Sequence, residues 1–125
     1  MCSSDLSPEA WQGFKLFFSE RAGCGSCHGG PDLATPVAGS VFRNNGFSDP
    51  REKFRVASLR NVALTAPYMH DGSVATLAAV VDGYAAREKA FRPTTEERRA
   101  LVAFLESLTD ESVAMNPRFG DPSGE

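Results

Sequence analysis

The 125-residue sequence has no long apolar stretch, no excess of basic residues and few cysteines. Its apolar runs are short and interrupted, whereas a helix that crosses a bilayer needs about 20 apolar residues, so no membrane segment is predicted. The net charge of −3 argues against the basic surface that nucleic acid requires. The three cysteines are an odd count and two of them share one tight motif, so a disulfide framework is not predicted.

Strand patterns are almost absent as well, and apolar residues instead recur at helical spacing in three segments. Ser7-Pro8-Glu9 opens the first with a capping hydroxyl and an early proline, and Thr94-x-x-Glu97 opens the third with a capping box. The predicted helices run from about Pro8 to Ser19, Thr76 to Ala86 and Thr94 to Leu108. Between the first two lies a long loop rich in Gly, Pro, Ser and Asn. These features predict an all-α domain with three main helices and long loops.

The chain length fits one domain, which we expect to occupy residues 7–110. Residues 1–6 lack the charged and apolar regions of a secretory signal, and we interpret them as non-native or linker residues. Residues 111–125 are rich in Asn, Pro, Gly, Asp and Ser with little to bury, so they are predicted to form a flexible C-terminal tail.

The sequence Cys24-Gly25-Ser26-Cys27-His28 is the attachment signature of a c-type haem. Each thiol adds to one vinyl group of the porphyrin, and the two-residue spacer keeps both sulfurs within reach of one ring. The histidine that follows is placed to ligate the iron. The motif occurs once, so the sequence predicts one covalently bound haem c with His28 as its proximal ligand.

Two other interpretations of the motif have weaker support. A zinc site needs a fourth ligand, for which the chain offers only Cys2 and His70. A thioredoxin-like dithiol needs a βαβ setting, and the neighbouring residues show no strand pattern. The residues alone leave the distal iron position undecided. It is either open to substrate or filled by one of four side chains, namely Met69, His70, Tyr84 or Met115.

Residues Phe54–Tyr84, FRVASLRNVALTAPYMHDGSVATLAAVVDGY, resemble the C-terminal haem domain of the bacterial di-haem cytochrome c peroxidase family. This family includes the related methylamine-utilisation di-haem enzyme. With the haem motif and the phrase Phe42-Arg43-Asn44-Asn45-Gly46, the resemblance extends from about Leu6 to Leu108. It implies a cytochrome c fold around one haem c, and a two-domain oxidoreductase in which an N-terminal haem reacts with hydrogen peroxide and the C-terminal haem relays electrons to it.

The resemblance also implies roles for individual residues. Arg60 and Asn61 match a segment that packs near the haem, and Thr65 and Pro67 match positions whose backbone carbonyls help to bind calcium between the two domains. Tyr84 stands where the peroxidases have a methionine ligand and the methylamine-utilisation enzyme has a tyrosine. We therefore expect iron coordination by His28 and Tyr84, with Met69 as the alternative distal ligand.

The expected function is that of a haem c electron-transfer domain in a cytochrome c peroxidase-like oxidoreductase. Its partners would be the N-terminal haem domain, a small electron-donor protein and, in the full enzyme, hydrogen peroxide. Because c-type attachment occurs outside the bacterial cytoplasm, a periplasmic location is expected. The resemblance covers only the second domain, so the isolated chain is expected to reduce peroxide weakly or not at all. The alternatives are an autonomous mono-haem cytochrome and an open-iron protein that binds peroxide or a diatomic molecule.

Overall fold

The computed structural model describes residues 6–36, 39–44, 49–87, 91–114, 116 and 118. All three predicted helices are present, and their ends lie within two residues of the expected positions. The helices are α1 (Pro8–Phe17), α2 (Leu77–Arg87), α3 (Thr95–Ser107) and the short α4 (Glu111–Ala114). Two 3₁₀ turns, Cys24–Ser26 and Val62–Leu64, complete the helical elements. Among the residues described, no helix is long and apolar enough to cross a membrane.

The capping signals predicted for the first and third helices are both confirmed. The amide of Ala10 donates to the Ser7 hydroxyl at 3.1 Å, and Pro8 occupies the first turn of α1. At α3 the Glu97 amide donates to the Thr94 hydroxyl, while the Thr94 amide donates to the Glu97 carboxylate. This reciprocal pair is the capping box that the sequence predicted, and it satisfies backbone donors that helix geometry leaves without partners.

The expectation of an all-α domain needs one correction. Strands β1 (Phe42–Arg43) and β2 (Phe54–Arg55) form a two-stranded antiparallel sheet in which Phe42 is opposite Arg55 and Arg43 is opposite Phe54. The pairing continues one residue further, because the Val56 amide donates to the Val41 carbonyl at 2.8 Å. Strands of two residues are too short to show an alternating pattern in the sequence, so they could not be predicted.

The core of the domain forms where α1 crosses α3. Gly13 faces the backbone of α3 so closely that an added Cβ would lie 1.9 Å from the Ala100 carbonyl oxygen. On either side of this crossing the aromatic rings of the two helices interlock, with the Phe14 and Phe17 centroids 5.6 and 5.2 Å from that of Phe104. α2 adds Leu77 and Val81 to the same core, so the three helices share one apolar interior.

Several sequence-based predictions lie outside the described residues. They concern Cys2 as a zinc ligand, Met115 as a distal ligand, and Asn45 and Gly46 of the family phrase. The domain boundaries at residues 7 and 110 stay predictions.

Candidate haem-binding site

The haem motif folds as a tight turn. Residues Cys24–Ser26 form a 3₁₀ turn, and the amides of Cys27 and His28 donate to the Cys24 carbonyl at 3.3 and 3.0 Å. Cys24 and Cys27 are both thiols and both half-buried. Gly25 is buried under Phe18, whose ring Cδ1 would lie 2.6 Å from an added Cβ. The turn thus holds two thiols and an imidazole within five residues, and a larger side chain at position 25 would require the partly exposed Phe18 ring to move.

His28 is oriented by the loop that follows it. Its ring Nδ1 lies 2.9 Å from the Leu33 carbonyl oxygen, which accepts a hydrogen bond when Nδ1 carries the proton. The ring is half-buried, and burial lowers the pKa of His28, although hydrogen bonding to the backbones of Leu33 and Ala57 opposes the shift. A neutral imidazole whose Nδ1 donates to a carbonyl presents Nε2 as the metal-binding atom.

These groups fit the chemistry of haem c. Covalent attachment uses two thiols, which Cys24 and Cys27 can supply. Iron ligation uses a neutral imidazole, which His28 can supply through Nε2 when its Nδ1 donates to the Leu33 carbonyl. In the described part of the chain, no group of three or more His, Cys, Asp or Glu side chains could bind a metal ion directly.

Leu33 owes its position to a short closed loop. Gly29 and Thr35 exchange two backbone hydrogen bonds of 3.0 Å, and the buried Leu33 adopts a positive φ of 56° between them. Two side chains from a later segment form hydrogen bonds to this loop. Arg60 Nη2 donates to the Pro31 carbonyl at 3.0 Å, and Ser58 Oγ donates to the Asp32 carbonyl at 2.6 Å. The loop is therefore closed by its own backbone and tied to the segment of residues 58–60.

The two residues expected near the haem occupy different places. Arg60 contacts the loop that carries Leu33, as described above. Asn61 has a φ of 59°, its amide donates to the Leu108 carbonyl at 3.0 Å, and its side-chain oxygen accepts from the Asp110 amide. Asn61 thus connects the Val62–Leu64 turn to the end of α3. The proximity of either residue to the haem stays a prediction.

The candidate distal ligands lie on α2 and on the loop before it. Tyr84 is half-buried and follows Leu77 and Val81 by seven and three residues, so it shares their helical face. Met69 is half-buried in a turn, with a φ of 72°. His70 is exposed and stacks on Phe54 with a centroid distance of 4.2 Å. The identity of the distal ligand stays a prediction.

The candidate calcium residues lie in the loop that follows the Val62–Leu64 turn. Thr65 and Pro67 are both exposed, and the Thr65 hydroxyl donates to the Val62 carbonyl at 3.0 Å. The Tyr68 hydroxyl donates to the same Val62 carbonyl at 3.0 Å, so two side chains fix the loop to the core. Calcium binding by the Thr65 and Pro67 carbonyls stays a prediction.

The most important group that the sequence did not indicate is the Leu33 carbonyl. It is a backbone atom, so the residue type at position 33 carries no information about its role. The sequence also gave no reason to single out Ser58, whose hydroxyl supports the same loop.

Comparison with known proteins identifies the type of domain. Residues 56–92 match the family model described as RoxA-like, cytochrome c-like. The chain is 34% identical to the methylamine utilization protein MauG of Methylorubrum extorquens, in an alignment that covers 90% of the chain and 38% of MauG. It is 31% identical to the cytochrome c551 peroxidase of Nitrosomonas europaea, over 85% of the chain and 36% of the peroxidase.

A solved structure shows that the likeness extends to the fold. The crystal structure of a MauG-like protein associated with microbial copper homeostasis aligns with a TM-score of 0.76 and 34% identity. The alignment covers 94% of this chain and 52% of that protein. The chain thus spans less than two fifths of the length of the two curated relatives and about half of the solved one.

Proposed function

The chain belongs to the family of bacterial di-haem cytochrome c peroxidases and MauG, and from this premise we propose that it is the electron-transferring haem c domain of such an oxidoreductase. The observation that carries the proposal is the His28 imidazole, which the Leu33 carbonyl orients beside the two thiols of the motif. This arrangement matches the needs of covalent attachment and of proximal ligation together.

One haem is proposed, because the sequence contains one attachment motif. Cys24 and Cys27 would hold it through thioether bonds, and His28 would ligate the iron through Nε2. When bound, the haem supplies an iron that cycles between the ferric and ferrous states. The contribution of the chain is to fix the imidazole, since the Leu33 carbonyl restrains ring rotation and Arg60 restrains the loop that carries Leu33.

We propose Tyr84 as the distal ligand, with Met69 as the alternative. A tyrosine has an ordinary pKa near 10, so it ligates ferric iron well only when the charge of the metal stabilises the phenolate. An anionic oxygen ligand favours the ferric state, whereas a thioether raises the reduction potential. The half-buried position of Tyr84 on the inward face of α2 supports this assignment.

The family also supports proposals about partners and location. We propose that an N-terminal haem domain in the same polypeptide reacts with hydrogen peroxide. The haem c domain formed by this chain would receive electrons from a small redox protein and pass them to that N-terminal domain. The support is that several relatives, including those of Nitrosomonas europaea and Pseudomonas aeruginosa, are cytochrome c peroxidases. Thr65 and Pro67 would contribute carbonyls to an interdomain calcium ion. A periplasmic location is proposed, because haem c attachment takes place there.

Stopped-flow kinetics of the haem-loaded chain test the proposal. Mixing with a reduced small redox protein should produce the ferrous haem spectrum, whereas steady-state peroxide reduction should fall far below that of a full-length di-haem peroxidase measured alongside. The reason is that Leu33 orients His28 as an iron ligand, whereas in this family peroxide chemistry belongs to the other domain. Peroxide turnover comparable to that of the full-length enzyme would contradict the proposal.

A further inference from the structure

The paired strands form the most basic part of an acidic chain. Between Arg43 and Arg60 the sequence holds five basic and two acidic residues, although the whole chain has a net charge of −3. Lys53 and Arg55 are exposed, and neither forms an ion pair with another described residue. We name the segment formed by residues 42–44 and 53–55 the basic ribbon. Within the described residues, the positive charges of Lys53 and Arg55 are therefore available to a partner.

The two faces of the basic ribbon differ. Residues that are opposite each other in an antiparallel pair point to the same face, so Phe42 and Arg55 share one face, and Arg43 and Phe54 share the other. The second face is covered, because the His70 ring stacks on Phe54 at 4.2 Å. On the first face Phe42 is 49% exposed and Arg55 is exposed. An aromatic ring beside a guanidinium is typical of protein interfaces.

The basic ribbon also leads directly to the proximal side of the site. β2 continues through the buried Val56 and then through Ala57 to Ser58, whose hydroxyl donates to the Asp32 carbonyl in the loop that carries Leu33. The Leu33 carbonyl in turn lies 2.9 Å from the His28 ring. Only three peptide units thus separate Arg55 on the surface from the side chain that contacts the loop beside the proximal imidazole. A redox partner seated on the ribbon would have a short covalent and hydrogen-bonded route to His28.

We infer that the exposed face of the basic ribbon, formed by Phe42 and Arg55 together with the adjoining Lys53, is the docking surface for a small acidic redox protein. This inference rests on the proposed electron-transfer function. Opposite charges would steer the encounter, and the Phe42 ring would bury apolar surface at the centre of the contact. The remainder of the chain carries an excess of acidic residues and would repel the same partner. The charge distribution would therefore also favour one orientation of the bound partner.

Charge reversal on the ribbon tests the inference. The haem-loaded double variant Lys53→Glu/Arg55→Glu is compared with the control Lys15→Glu/Arg99→Glu, which makes the same change in net charge on α1 and α3. Fluorescence anisotropy measures binding of a labelled acidic flavodoxin, and stopped-flow absorbance measures reduction of the haem by flavodoxin hydroquinone. Dithionite reduction of each variant checks that the haem is intact and accessible.

For the ribbon variant, the affinity for flavodoxin and the rate of haem reduction by flavodoxin should both be at least about tenfold lower than for the parent at low ionic strength. The control should stay within about threefold of the parent, and added salt should reduce the difference. Equal losses in both double variants, or a parent rate that rises with salt, would overturn the docking surface. Tight binding of the parent to vesicles of anionic lipid but not to flavodoxin would also overturn it. If flavodoxin and basic redox proteins all fail to reduce a dithionite-reducible parent haem, the proposed function itself is wrong.

Discussion

Replacement of Gly13 by alanine tests the close packing of α1 on α3. The new Cβ would lie 1.9 Å from the Ala100 carbonyl oxygen, 2.5 Å from its carbon and 2.8 Å from Phe104 Cβ, whereas ordinary contacts begin at 3.4 Å. Two of these atoms are backbone, so no rotation of a side chain relieves the overlap. The helices must move apart, and the contacts of Phe14 and Phe17 with Phe104 loosen with them.

The magnitude follows from two opposing effects. Overpacking of a core costs about 1–3 kcal/mol and sometimes more, and an overlap with backbone belongs at or above the top of that range. Alanine is a better helix former than glycine by about 1 kcal/mol, which offsets part of the cost. We expect a net loss of about 2–3 kcal/mol in the free energy of unfolding. For a domain of this size the loss corresponds to a fall of about 10 °C in Tm.

Thermal and urea unfolding of the haem-loaded protein, followed by far-UV circular dichroism, measures this effect. The matched control is Gln12→Ala, which introduces alanine at the neighbouring exposed position of the same helix and should stay within about 0.5 kcal/mol of the parent. A Gly13→Ala variant as stable as the parent, or more stable by the gain in helix propensity, would refute the close crossing of α1 and α3.

Three further predictions concern single side chains. Hydrogen bonds from Arg21 and from the Thr94 amide lower the pKa of Glu97 from 4.5 to about 2, so its stabilising effect is present above pH 4.5 and is lost as the pH falls toward 2. Because the ion pair is partly exposed, Glu97→Gln should cost only about 1 kcal/mol at pH 7 and almost nothing near pH 2 in urea unfolding, and a cost independent of pH would contradict this account. Tyr84→Phe should change the ferric optical and electron paramagnetic resonance spectra and raise the reduction potential; unchanged spectra would redirect attention to Met69. His70→Ala should leave those spectra unchanged, because the ring stacks on Phe54, and altered axial-ligand signals would show that His70 ligates the iron.

Much of the helical framework could be predicted, because its signals are local. The capping box at Thr94 and Glu97 and the proline at the start of α1 act within a few residues, and the structure reproduces both. The family was also recognised correctly, because the sequence of residues 54–84 is specific to it. Boundaries shifted by one or two residues, since the ends of helices depend on hydrogen bonds that apolar spacing does not reveal.

The parts that could not be predicted depend on atoms or distances that residue types do not encode. The carbonyl of Leu33 acts on His28 through the backbone, so the residue type at position 33 reports only that its side chain is buried and not that its carbonyl contacts the histidine. The need for glycine at position 13 comes from a helix that lies 87 residues further along the chain at Ala100. The two-residue strands depend on pairing with each other across about twelve residues of sequence, and no apolar pattern marks them.

Intact-protein mass spectrometry after maturation with haem-attachment machinery tests the central claim most directly. The parent should keep the added mass of a single haem after treatment with acidified organic solvent, because thioether bonds survive conditions that remove a ligated haem. The variant Cys24→Ala/Cys27→Ala, matured in parallel, should give the bare polypeptide mass after the same treatment. A bare parent polypeptide, or a double variant that still retains covalent haem, would contradict the assignment of this chain as a haem c domain attached through Cys24 and Cys27.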